Sequence, residues 1–107
     1  MIDATGADVS GSYRQKGANM IRVVKKDERT YAVTVEAETI TRHTVTVSPS
    51  YHAQLTGGKV SPELLVEKSF EFLLEREPNT SILGSFDLPL IGRYFAEYES
   101  EIGKRLG

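Results

Sequence analysis

From Ile21 to Ser48 the chain alternates apolar and polar residues with a period of about two, and valine and threonine dominate the stretch. That period belongs to a strand, whose successive side chains face opposite sides of a sheet, and β-branched residues suit its pleated, half-buried surface. A chain built around such a stretch must cover one face of a sheet with another layer, which narrows the possible architectures sharply. Three strands fit: Ile21 to Lys26, Thr30 to Ala37 and Ile40 to Ser48, separated by the polar turns Asp27-Glu28-Arg29 and Glu38-Thr39. Tyr31, Val33 and Val35 share one face of the second strand. His43, Val45 and Val47 share one face of the third, with Arg42, Thr44 and Thr46 opposite. The short connections predict an antiparallel meander.

The covering layer follows directly in sequence. Ser48-Pro49 and Ser61-Pro62-Glu63 carry the same helix-start signal, a side-chain cap, a proline at the first helical position and, in the second, an acid near the positive end of the helix dipole. The first helix should stop at Gly57-Gly58 and the second should run from Pro62 to Glu77, where Pro78 ends it. On a helical wheel Leu65, Val66, Phe70, Phe72, Leu73 and Leu74 spread over roughly 200°, too wide for one sheet to cover. The second cover is predicted to be the C-terminal stretch. There Asn79 to Gly84 reads as a short helical turn, Asp87 as a cap, and Ile91, Tyr94, Phe95, Tyr98 and Ile102 as one apolar face. The fold class expected is α+β: a three-stranded meander, then a short helix, a long helix and C-terminal helical segments packed on the sheet.

With 107 residues the chain is about one domain long. Residues 1–19 hold three glycines and no periodic apolar face, so a flexible tail is expected before a domain at residues 20–107, with Met20 a second candidate start. Apolar residues make up 39% and charged residues 26%, and no run approaches the roughly 20 apolar residues needed to span a bilayer. No membrane association is expected, and in the absence of a secretory signal pattern the location expected is cytoplasmic. Zero cysteines remove disulfides, thiolate metal sites and a cysteine nucleophile. A net charge of −2 argues against strong nonspecific binding of polyanions, which needs a basic footprint.

The catalytic patterns fail one by one. Gly57-Gly58-Lys59 before a helix suggests a phosphate loop, but Ala53 stands where the first glycine belongs and Val60 where a magnesium-binding hydroxyl belongs. His43 and His52 are the only imidazoles, and no spacing brings ligands or a base partner to them. They leave a small enzyme or ligand binder as the third-ranked reading. Ser48, Ser50, Ser61, Ser69, Ser81 and Ser85 lie outside any nucleophile elbow. Glu97, Glu99 and Glu101 alternate on a terminal segment and read as solvated. Glu63, Glu67, Glu71 and Glu75 repeat every four residues along the main helix, mildly unfavourable by a few tenths of a kcal/mol per pair and suited to solvent or to a basic partner. No metal or cofactor is expected.

The segments "TRHTVTVSPSYHAQLTGGKVSP" and "SFEFLLEREPNTSILGSFDLPLIGRYFAEYE" resemble a small family of uncharacterised bacterial and archaeal proteins over about residues 20–102. The Phe-Leu-Leu-Glu-Arg-Glu-Pro run and the Ser-Phe-Asp-Leu-Pro segment carry the likeness. The family has no assigned activity, so the resemblance implies no residue role.

The leading expectation is a noncatalytic module that binds a protein partner or pairs as a homodimer, using Arg93, Tyr94, Tyr98, Glu67, Glu71, Lys104 and Arg105 as candidate contacts. The alternative is a nucleic-acid-associated regulator. For that reading the segments from Asn79 onward have the proportions of a helix-turn-helix, with Arg93, Lys104 and Arg105 as the contacts.

Overall fold

The computed structural model describes residues 20–106. The tail expected at residues 1–19 therefore lies outside the described residues. Three antiparallel strands, β1 (Met20–Lys25), β2 (Thr30–Glu36) and β3 (Ile40–Thr46), form the expected meander. The first turn is fixed by Asp27, whose carboxylate accepts the N–H groups of Arg29 and Thr30, each at 2.9 Å. Those bonds favour the ionised carboxyl and lower its pKa. The register places Val23, Val33 and His43 in one row and Ile21, Val35 and Thr41 in the next, all on the inner face. Arg22, Thr34 and Arg42 form a row on the outer face, which no layer covers among the described residues.

Both serine caps form as expected. Ser48 Oγ accepts from Tyr51 N and starts α1 (Pro49–Thr56), and Ser61 Oγ accepts from Leu64 N and starts α2 (Pro62–Leu74). Gly57, at φ +67°, closes α1 with its N–H on the Ala53 carbonyl, a conformation that favours glycine. Regular helix ends at Leu74, three residues before the expected stop, although Glu77 N–H still reaches the Leu73 carbonyl.

The C-terminal third departs further from expectation. A 3₁₀ turn at Asn79–Ser81 leads into a fourth strand, β4 (Ser85–Asp87), which pairs in parallel with β3 through Thr44 opposite Ser85, Val45 opposite Phe86 and Thr46 opposite Asp87. Asp87 is thus a strand residue and not a helix cap. Two short helices follow in place of one apolar-faced segment: α3 (Leu90–Tyr94) and α4 (Tyr98–Leu106), separated where Phe95 turns extended at φ −131°.

The core fills the space between the sheet and the helices. Phe70 of α2 faces the sheet, 5.3 Å from the His43 ring and 6.1 Å from Phe86. Phe72, two residues on, faces the other way and meets Tyr98 at 5.3 Å and Phe95 at 5.9 Å, both edge-on. The wide apolar surface of α2 is therefore covered on two sides, and each fully buried phenylalanine contributes about 1.5–3 kcal/mol of transfer free energy.

Candidate functional site

Both imidazoles are hydrogen-bonded within the fold. His43, almost wholly buried, contacts the Leu83 carbonyl through Nδ1 at 2.8 Å; a carbonyl only accepts, so Nδ1 carries the proton and Nε2 accepts from Thr41 Oγ1 at 2.8 Å. Asn79 Nδ2 in turn donates to Thr41 Oγ1 and to the Thr39 carbonyl, which ties the 3₁₀ turn to β3. His52 Nε2 donates to the Val60 carbonyl at 2.6 Å and stitches the loop between α1 and α2. The two rings share no partner. Among the described residues no group of three or more His, Asp or Glu side chains is placed to share a metal ion.

The C-terminal acids are engaged with the fold. Glu97 pairs with Arg76 at 3.0 Å, Glu101 with Arg105 at 3.9 Å, and Glu99 accepts from the Tyr51 hydroxyl at 2.9 Å. Arg105 also binds Glu75 at 2.6 Å, and this hydrogen bond holds the Glu75 carboxyl below the usual carboxylate range. The Arg76 guanidinium lies 3.6 Å from the centre of the Phe72 ring, closing the top of the core with a cation over an aromatic face. Desolvation pushes the buried Tyr98 phenol well above its ordinary pKa, and Tyr51 likewise.

The seven residues expected to make contacts are scattered by this arrangement. Tyr98 is in the core, Arg105 is committed to Glu75 and Glu101, and Glu71 pairs with Lys68 at 3.4 Å. Glu67 is half-buried, while Arg93 and Lys104 are exposed on α3 and α4. The segment with helix-turn-helix proportions contains a strand between its helical pieces, and α3 spans only five residues. Tyr94 alone joins a recognisable feature: it is 67% exposed and borders a groove of about 260 Å³. Leu73, Ile82, Leu83, Phe86, Leu90 and Ile91 form the groove's apolar walls, with Glu77 and Ser81 as polar members.

The sheet supplies two further candidate surfaces, its outermost strands. Lys26 N–H bonds to the Thr30 carbonyl at 2.8 Å, which sets the phase of the β1–β2 ladder. Bonded pairs alternate along an antiparallel ladder, so Val24 and Arg22 bond to β2 while Ile21, Val23 and Lys25 present their N–H and C=O groups to an edge that is open among the described residues. On the opposite side of the sheet, β4 bonds to β3 through the Gly84 carbonyl and the Leu88 N–H, so Ser85 and Asp87 present theirs outward. Sequence patterning does not reveal the strand around Phe86, because three residues are too few to show a strand period.

No family model, curated protein or solved structure matches this chain. No helix among the described residues is long and apolar enough to cross a membrane.

Proposed function

We propose that the chain is a noncatalytic interaction module that pairs with a second copy of itself along β1. The observation that supports this reading is the phase of the open edge: Ile21, Val23 and Lys25 present a regular row of donors and acceptors on a six-residue strand that holds no proline. Two copies related by a two-fold axis at Val23 would set Val23 opposite Val23, Ile21 opposite Lys25 and Arg22 opposite Val24. Inner faces would stay on one side, and two four-stranded sheets would join into one. A register centred on Arg22 keeps the same faces but sets two guanidinium groups directly across from each other, which is unfavourable. Lys25 and Lys26 discourage pairing with arbitrary strands, yet in the Val23 register they fall opposite Ile21 and Met20 of the other copy and not opposite another lysine. Val24, 60% exposed, gains cover beside the aliphatic stem of the partner's Arg22.

Sedimentation equilibrium of the full chain across a wide concentration range tests the reading. A mass that rises to twice the monomer, and returns to the monomer in Val23→Pro with its far-ultraviolet spectrum retained, is expected. A monomer at every concentration would withdraw self-association.

A further inference from the structure

The opposite edge of the sheet carries a second, differently built surface. Its backbone groups and its groove lie side by side: Phe86, central in β4, turns its ring inward and lines the groove, while Ser85 and Asp87 on either side of it direct their N–H and C=O groups away from β3. Among the described residues nothing bonds to those groups, and the sheet ends at β4. Ser85 and Asp87 are exposed, as is Gly84, where an added Cβ would meet nothing within 4 Å. Leu83, 47% exposed, precedes the strand, and Tyr94, 67% exposed, stands beyond it.

We propose that the β4 edge and this groove form a docking site for an extended peptide of a partner protein. The peptide adds as a strand beside β4, and its residue opposite Phe86 lowers a large apolar side chain into the groove. A strand placed there shares the pleat of β4, so the side chain beside Phe86 points to the same inner face, while the neighbouring positions point to solvent. The volume selects side chains over a whole ligand: about 260 Å³ is below the roughly 300–1,000 Å³ typical of small-molecule sites. A small apolar molecule would also leave the edge groups of Ser85 and Asp87 unused. Charge sets the second requirement. Glu77 is the single charged residue of the groove lining, half-buried and without an ion pair among the described residues. A lysine or arginine two residues from the apolar anchor lies on the same inner face and meets it. The site does not depend on self-association through β1, which lies at the far side of the sheet.

A display library of random heptapeptides selected on the full-length chain tests the proposal. Enriched peptides are expected to pair a large apolar residue with Lys or Arg two positions away. Synthetic copies should shift the amide resonances of Ser85 and Asp87. Methylating every second peptide nitrogen should weaken binding by roughly tenfold per methyl, while methylating the intervening nitrogens leaves it unchanged. Glu77→Lys, a change at the half-buried charged residue of the lining, should exchange the basic preference for an acidic one. The absence of any enriched peptide would overturn the proposal, as would indifference to the methylation pattern, or shifts confined to Met20–Lys25. Failure of β1 pairing would show only in the sedimentation mass, so the two readings fail separately.

Discussion

The hydroxyl of Tyr98 on α4 lies 2.6 Å from Ser69 Oγ on α2, and both residues are completely buried. The Ser69 hydroxyl donates to the Leu65 carbonyl at 2.7 Å, so Tyr98 donates and Ser69 accepts in the bond between them. The two losses are therefore unequal. Tyr98→Phe leaves Ser69 still bonded to Leu65 and should cost about 0.5–1.5 kcal/mol, whereas Ser69→Ala strands the phenol in the core and should cost about 1–3 kcal/mol. In urea unfolding the double variant should cost less than the sum of the two.

Burial of the same phenol makes stability fall in alkali. Desolvation raises the folded-state pKa of Tyr98 above its ordinary value of 10.0. A raised pKa means that the folded chain holds its proton longer than the unfolded chain. The stabilisation is complete below about pH 10 and declines as pH rises beyond it, by up to about 1.4 kcal/mol per pH unit for each such group. Unfolding midpoints measured from pH 8 upward should be level and then drop, and Tyr98→Phe should drop less steeply.

How much of this was legible in the sequence depended on where the ordering information lay. Tyr31, Val33 and Val35 announce β2 through their own spacing, and Ser48-Pro49 and Ser61-Pro62 contain both halves of a helix start. Ser85-Phe86-Asp87 contains nothing comparable; it becomes a strand because Gly84 and Leu88 bond to β3, a residue far away in sequence supplying each partner. The alternating Glu97, Glu99 and Glu101 read as solvated for the same reason. Arg76 and Tyr51, the partners of Glu97 and Glu99, are brought to them only when the C-terminal segment docks on α1 and the end of α2, whereas Glu101 meets Arg105 one turn on within α4 itself. The candidate groove is hidden most deeply in the sequence, since its walls come from four separate segments and Tyr94 alone of its lining is a contact that the sequence suggests.

Acid should weaken the fold through the Glu75 pair. The hydrogen bond from Arg105 depresses the Glu75 pKa below its ordinary 4.5. A depressed carboxyl stabilises the fold above the unfolded pKa, and that contribution is lost as pH falls below about 4.5 and through the folded value. Solvent screens this half-exposed pair, so the change is small. Thermal unfolding of Arg105→Gln should show a shallower fall between pH 5 and pH 3 than the parent chain.

His43 holds the approach to β4. With both ring nitrogens engaged by Leu83 and Thr41, His43→Phe keeps the packing against Phe70 but leaves the Leu83 carbonyl without its donor. The adjacent Thr44 N–H, bonded to the Gly84 carbonyl at 2.8 Å, should then exchange with deuterium markedly faster. Ala32, bonded to Val24 on the far side of the meander, should be little changed. Equal acceleration at both would mean global destabilisation and not release of the 82–84 segment.

Proline at neighbouring positions of β1 reads the ladder phase directly. Val23 is half-buried against the core and Val24 is 60% exposed, so side-chain burial alone makes Val23→Pro the more damaging change. The backbone predicts the reverse. Val24 N–H points to β2, opposite Ala32, and its loss leaves a ladder acceptor without a donor, at about 1–3 kcal/mol; Val23 N–H faces the open edge, where proline is tolerated. Chemical unfolding at a concentration low enough to keep the chain monomeric should therefore rank Val24→Pro as the less stable variant. If Val23→Pro were the less stable by more than the cost of Val23→Ala, Val23 would lie in the β1–β2 ladder, and the outward row of Ile21, Val23 and Lys25 on which pairing with a second copy rests would then belong to Arg22 and Val24 instead.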